Sequence, residues 1–392
     1  MTDPLLAWRA EFPILDTCTY LVSHSLGAMP RGVRAELTQF ADEWDRRGVL
    51  AWQPSDSDGV PKTAGWWEIG RETGNLLAPI LGVARDTITM HQNATVAQLI
   101  AASCVSFSGA RNKIVLQDLD FPTNHYLFEG FRKQGAEIVY VKSDDRIQAP
   151  IDRLVDAIDE RTVLVPISLV LFRSACLQDV KPVIDKAHKV GALVILDIYQ
   201  AAGTIPLDLA GLGADFAVGG SVKWLCGGPG AGYLYVRPDL IPQLTPAHVG
   251  WAGHTAPFAF ETGAIRYAAG VERFQSGTPN VPSLYSARAG YKIVGKIGVP
   301  AIREKSLRLT RKLIDAATRR GWTLNTPAND ADRGGSVVID VPNGATVAQE
   351  LIKRNVIIDH RPDAGIRIAP HFYSTDEEVD RAIETLEALS NM

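Results

Sequence analysis

Residues 215–236 read DFAVGGSVKWLCGGPGAGYLYV: an apolar, strand-like run on each side of a lysine that is followed at once by a glycine-rich turn. Lysines ordinarily sit solvated on a surface. Here Val218, Val222, Trp224 and Leu225 surround Lys223 with bulk that strips water from an ammonium and lowers its pKa. An amine in that state can form a Schiff base. Upstream, in GALVILDIYQAAG (191–203), a hydrophobic strand ends at Asp197, 26 positions before Lys223. A carboxylate at the end of a strand suits a ring nitrogen that must stay protonated. Further upstream, in MHQNATVAQLIAASCV (90–105), Asn93, Ala94 and Thr95 open an amphipathic helix directly after the strand-like 86–90. Backbone N–H groups and the Thr95 hydroxyl at such a helix start make a phosphate site.

Each element has a plainer reading by itself. Lys223 could snorkel from a strand end, Asp197 could cap a helix, and Asn-Ala-Thr could be an ordinary capping turn. Together and in this chain order they fit pyridoxal phosphate. That cofactor needs a lysine for its aldehyde, an acid for its pyridine nitrogen and a cradle for its phosphate.

From about residue 85 to 240, extended apolar runs alternate with helix-like stretches, the rhythm of a mostly parallel α/β sheet. Ligands of such sheets sit beyond the carboxyl ends of the strands, where Phe121, Ser168 and Asp197 fall. After about residue 282 the pattern changes. A long helical segment spans 285–321, and the short strands SVVIDVP and VIIDHR and a last helix then predict a smaller α+β domain. The division is expected at 1–282 and 283–392. One long loop, AWQPSDSDGVPKTAGWW (51–67), carries Trp52, Trp66 and Trp67, which read as core or interface packing more readily than as a substrate cover.

With 392 residues, 46% of them hydrophobic, the chain can bury a large core. Its net charge of -4 comes from interspersed residues with no basic run, which argues against nucleic acid. No basic and apolar leader and no long uncharged apolar run is present, so a cytoplasmic protein with no membrane association is expected. Cys18, Cys104, Cys176 and Cys226 are scattered without CxxC spacing, which suggests neither disulfides nor a metal site.

These motifs resemble the fold type I pyridoxal phosphate enzymes of the class V aminotransferase superfamily, and within it the kynureninases. TYLVSHSLGAMPRGVRAEL (19–37) is similar to the kynureninase opening Tyr-Leu-Asp-Gly-Asn-Ser-Leu-Gly. DFPTNHY (120–126) is similar to Phe-Pro-Thr/Ser-Asp, GSVKWLCGGPGA (220–231) to Cys-Ser-Tyr-Lys-Tyr-Leu-Asn-Gly-Gly-Pro-Gly, and HVGWAGH (248–254) to Gly-Trp-Phe-Gly-His. The resemblance runs nearly the whole length. It implies a large domain with a mostly parallel seven-stranded sheet flanked by helices, plus the smaller C-terminal domain. Lys223 and Asp197 would be catalytic, as Schiff-base lysine and ring-nitrogen partner. Ala94, Thr95, Phe121, Ser168, Gln200 and Ser221 would join them in holding the cofactor. Trp251 and Thr278 match positions that reach the neighbouring subunit's cofactor, which implies a homodimer. Arg367, in GIRIAPHFYST, matches the arginine that pairs with the substrate's α-carboxylate, and its guanidinium fork suits that group. His24 and Asn124 fall at positions expected to contact substrate.

The chain departs from that pattern at its opening, where Val22, Ser23 and His24 replace Asp, Gly and Asn, and at three further positions. Val222 stands where a tyrosine is expected, Asn124 where an aspartate is expected, and Gln200 where a histidine is expected. Asp-x-x-Gln and RFQSGTPN (273–280) look more like the cysteine desulfurase and isopenicillin N epimerase branches. A desulfurase needs a cysteine in its C-terminal domain, and none follows Cys226. The sequence therefore points to a kynureninase-like hydrolase. Other class V chemistry (β-elimination or C–S lysis, epimerisation, transamination) is the alternative reading. Retention of Lys223, Asp197 and Arg367 together speaks against a non-catalytic binding protein.

Overall fold

The computed structural model describes residues 3–55 and 63–390, so the centre of the tryptophan-bearing loop lies outside the described residues. The chain opens on a two-residue strand, β1 (Thr19–Tyr20). Seven strands then build the main sheet: β2 (Ile88–His91), β3 (Lys113–Gln117), β4 (Glu137–Val141), β5 (Thr162–Ser168), β6 (Leu193–Asp197), β7 (Phe216–Gly220) and β8 (Gly232–Val236). Their order is β2-β8-β7-β6-β5-β3-β4. β8 runs antiparallel to both of its neighbours, and the other pairs are parallel. Such a sheet is covered on both faces, so its strands are apolar throughout rather than alternating. Val165, Val194, Leu196 and Ala217 pack into one buried cluster, and Leu164, Ile195, Phe216 and Val218 into another.

In the C-terminal part, β9 (Thr323–Leu324), β10 (Val337–Asp340), β12 (Asp359–Arg361) and β13 (Gly365–Ile368) form an antiparallel sheet in the order β12-β13-β10-β9, while β11 (Val356–Ile357) pairs in parallel with β1. Leu309, Leu313, Ile366, Ile368 and Leu386 join the core of this layer. Leu21 also lies in it, so the start of the chain packs with its end. The long helical segment expected after residue 282 is two helices, Val281–Ile297 and Val299–Arg320. Gly298, at φ +85°, breaks it, and Pro300 then occupies the first turn of the second helix, where a missing N–H costs nothing. No helix among the described residues is long and apolar enough to cross a membrane.

Candidate active site

β5 ends at Ser168 and β6 at Asp197, and the two residues are register partners, so parallel pairing delivers both to the same sheet edge. There they line a cavity of about 200 Å³ with Asn93, Ala94, Thr95, Gln98, Phe121 and Lys223. Residues more than 120 positions apart in sequence thus meet because strand ends, helix starts and the turn after β7 converge. Asn124, Tyr199 and Gln200 belong to the same wall.

Burial lowers the Lys223 amine to about 8, against the opposing pull of Asp197. Its Nζ lies 4.3 Å from the Tyr199 ring centroid and 5.8 Å from that of Phe121. The Asp197 carboxyl is pushed up by burial; the one hydrogen bond it accepts among the described residues comes from the Tyr199 N–H, at 2.9 Å. Behind it, Asp120 Oδ1 accepts from the Ser168 hydroxyl at 2.6 Å and from Gln117 Nε2 at 2.8 Å. Burial raises the Asp120 carboxyl to about 7. Ser168 therefore turns its proton away from the cavity and offers a lone pair to it.

The donor set fits pyridoxal phosphate. Asn93 caps the helix Ala94–Ala102 by accepting from the Val96 N–H at 3.0 Å, and the N–H groups of Ala94 and Thr95 have no acceptor among the described residues. The final strand must leave space for this helix start, and Gly232 does so: a Cβ there would lie 2.5 Å from the Asn93 carbonyl carbon. Asn124 Oδ1 accepts from Gln98 Nε2 at 2.9 Å, while its Nδ2 is buried at the cavity wall without a partner among the described residues. An unpaired buried donor is costly, which makes this edge a place for a polar ligand.

Other expected residues take different positions. Ser221 does not line the cavity. It is buried, and its hydroxyl is engaged with the Ala231 carbonyl and the Tyr291 hydroxyl. Gln200 lines the cavity but already donates to the His24 carbonyl and accepts from Trp224 Nε1, each at 3.1 Å. Arg367 is buried and does not line the cavity. Its Nε and Nη2 donate to Asp359 at 2.8 and 2.6 Å, and its Nη1 donates to the Phe172 carbonyl at 2.8 Å. Of its five N–H donors, two remain. His24 also stands behind the wall, with Nε2 3.1 Å from Asp359 Oδ1. Burial lowers His24 to about 4 and the charges around Asp359 keep its carboxyl ionised, so the neutral imidazole donates from Nε2. Trp251 and Thr278 lie outside this cavity. Trp251 sits in an exposed aromatic cluster, 5.1 Å from the Trp67 ring, and Thr278 is exposed. Trp66 is buried and donates to Glu43 at 3.0 Å, and Trp52 packs edge-on against it, so these two tryptophans serve the core. Sequence reasoning missed Tyr199 and Asp359. The first signal was an aromatic two residues after the strand-end acid, and the second a carboxylate in the strand next to the arginine.

A parallel-sheet fold with a buried lysine, a strand-end acid and a helix-start anion site in one cavity defines a pyridoxal phosphate-dependent enzyme. The aminotransferase class-V family model matches residues 66–381, and the chain belongs to that family. The kynureninase of Pseudomonas fluorescens is 31% identical over 98% of this chain and 92% of its own length. That of Deinococcus radiodurans is 32% identical over 99% and 93%. Among solved structures, a cysteine desulfurase from Thermococcus onnurineus superposes with a TM-score of 0.84 at 20% identity, covering 100% of this chain and 99% of its own. The cystine C–S lyase C-DES, in complex with its product cysteine persulfide, gives 0.82 at 19% over 96% and 98%. At those identities the structures speak for the fold alone.

Proposed function

We propose that this chain is a kynureninase-like hydrolase that cleaves the Cβ–Cγ bond of an amino acid bearing a γ-carbonyl, kynurenine giving anthranilate and alanine. The observation that carries this reading is the Lys223 amine, held with a lowered proton affinity in one cavity with Asp197. Near-full-length similarity to curated kynureninases supports the choice of reaction. The aldehyde and protonated pyridine ring of pyridoxal phosphate supply the covalent link to the amino acid and the electron sink. Ala94 and Thr95 N–H groups would hold its phosphate, and Phe121 would pack on its ring. Asp197 would supply a negative charge at the ring nitrogen. Lys223 Nζ, neutral in a useful fraction of molecules near pH 8, takes the proton from the substrate Cα. The two remaining Arg367 donors receive the substrate carboxylate, in an orientation that Asp359 fixes. Asn124 Nδ2 offers a hydrogen bond to substrate or cofactor. Trp251 and Thr278 serve the cavity of a second copy in a cytoplasmic homodimer.

Incubation of the cofactor-loaded protein with kynurenine tests the reading. Anthranilate should form at an ordinary enzymatic rate, on the order of 1 to 1000 per second, and not with Lys223→Ala. Cofactor loading without anthranilate, together with turnover of another amino acid, would place the chain among the other class V chemistries.

A further inference from the structure

Next to Lys223 in the chain, hydroxyls are committed or absent: Ser221 is engaged with Ala231 and Tyr291, and Val222 brings none. Of the hydroxyls that line the cavity, Ser168 donates to Asp120, while those of Thr95, Thr123 and Tyr199 have no partner among the described residues. Tyr199 is the phenol among them. Its ring lies against the Lys223 amine, and its hydroxyl has no hydrogen-bond partner among the described residues, although burial pushes the phenol up to about 12 and keeps its proton in place. The hydroxyl has been given room. A Cβ at Gly220 would lie 2.3 Å from Tyr199 Oη, and one at Gly219 would lie 2.2 Å from Tyr233 Oη. Neighbouring strand residues face opposite ways, so this glycine pair admits one phenol on each face of β7.

The face can be identified. Gly220 shares a face with Val218, two residues earlier, and Val218 is the register partner of Asp197. Val218 packs with Ala97 and Ala101 of the helix whose start opens into the cavity. The free phenol therefore stands on the side of the sheet where the Ala94 and Thr95 N–H groups lack acceptors. A protonated donor beside a cation and a helix N-terminus calls for an anionic oxygen.

We propose that Tyr199 is a cofactor-binding residue whose hydroxyl donates to the phosphate of pyridoxal phosphate, beside the Ala94 and Thr95 N–H groups. This rests on the reading of Lys223 as the cofactor's lysine. The same chemistry could serve a substrate carboxylate, and the test separates the two sources. Tyr199→Phe keeps the ring against Lys223 and removes only the hydroxyl. Affinities of the cofactor-free protein for pyridoxal phosphate and for pyridoxal, which lacks the phosphate, are read from visible absorbance. The substitution should weaken pyridoxal phosphate by roughly ten- to hundredfold and leave pyridoxal unchanged. Equal loss of both ligands, or loss of neither, overturns the proposal. So does unchanged cofactor affinity with a raised KM for the amino acid, which would assign the hydroxyl to the substrate. If the unaltered protein takes up no pyridoxal phosphate, the functional reading fails first, and that outcome is distinct.

Discussion

Two buried polar constellations lie within reach of each other, and they are finished to different degrees. Around Asp359, His24 Nε2, Arg367 Nε and Nη2 and Arg361 Nη2 all converge on one carboxylate, so nearly every charge has its partner inside the protein. Around Lys223 the accounting stays open: the Ala94 and Thr95 N–H groups, Asn124 Nδ2 and the Tyr199 hydroxyl lack partners among the described residues, and the amine and Asp197 are each pushed toward neutrality by burial. So nearly saturated a cluster keeps its geometry without a ligand and holds the Arg367 guanidinium in place for one. An unsaturated one is destabilising until something fills it, which is the expected condition of a site built for a cofactor.

Two isosteric substitutions break the comparison in opposite directions. Asp359→Asn leaves Arg367 buried without its counter-ion and should cost about 3–5 kcal/mol of stability. Asp197→Asn removes a carboxylate whose burial is unfavourable, so the cofactor-free protein should lose less than about 1 kcal/mol while turnover is lost. Denaturant unfolding of both variants measures the contrast. Comparable losses would mean that the two clusters are not distinct in kind.

Acid sharpens the same contrast by a smaller amount. Burial lowers His24 and His91 to about 4 and His371 to about 3. Between those values and the unfolded value of about 6.5, the unfolded chain binds protons that the native chain refuses. These three histidines therefore lower stability as pH drops from about 6.5 toward 4, against the opposite contribution of Asp120 and Asp197, whose raised carboxyls take up protons in the native chain before the unfolded one. Asp359, depressed by its partners, adds a loss only below the ordinary carboxylate range. A His24→Gln variant should lose less of its melting temperature between pH 7 and 4 than the unaltered protein, and an equal loss would contradict a neutral buried His24.

The difference between the clusters also governs what could be read from sequence. Lys223, Asp197, Thr95, Phe121 and Ser168 each sit where a strand ends or a helix begins, and those local signals carry the α/β reading and the cavity wall. The partners of Arg367 do not announce themselves in this way. Asp359 reaches it only because β12 pairs with β13, and His24 only because the start of the chain packs against the C-terminal layer. Ser221 looked like a cofactor contact because of its place before Lys223, but Tyr291, 70 residues on, takes its hydroxyl. Tyr199 reads as a core aromatic until the glycine pair in β7 is seen to make room for its phenol. The helix break at Gly298 was legible as Gly-Val-Pro, yet the amphipathic pattern on both sides masked it.

The central claim is that Lys223 is the residue to which the cofactor is attached. Reduction of the pyridoxal phosphate-loaded protein with borohydride, followed by digestion and peptide mass analysis, tests it directly. The pyridoxyl-phosphate mass should appear on the peptide containing Lys223 and on no other, and the visible absorbance should bleach in step. A label on a different lysine, or none on a protein that has lost its colour, would contradict the account.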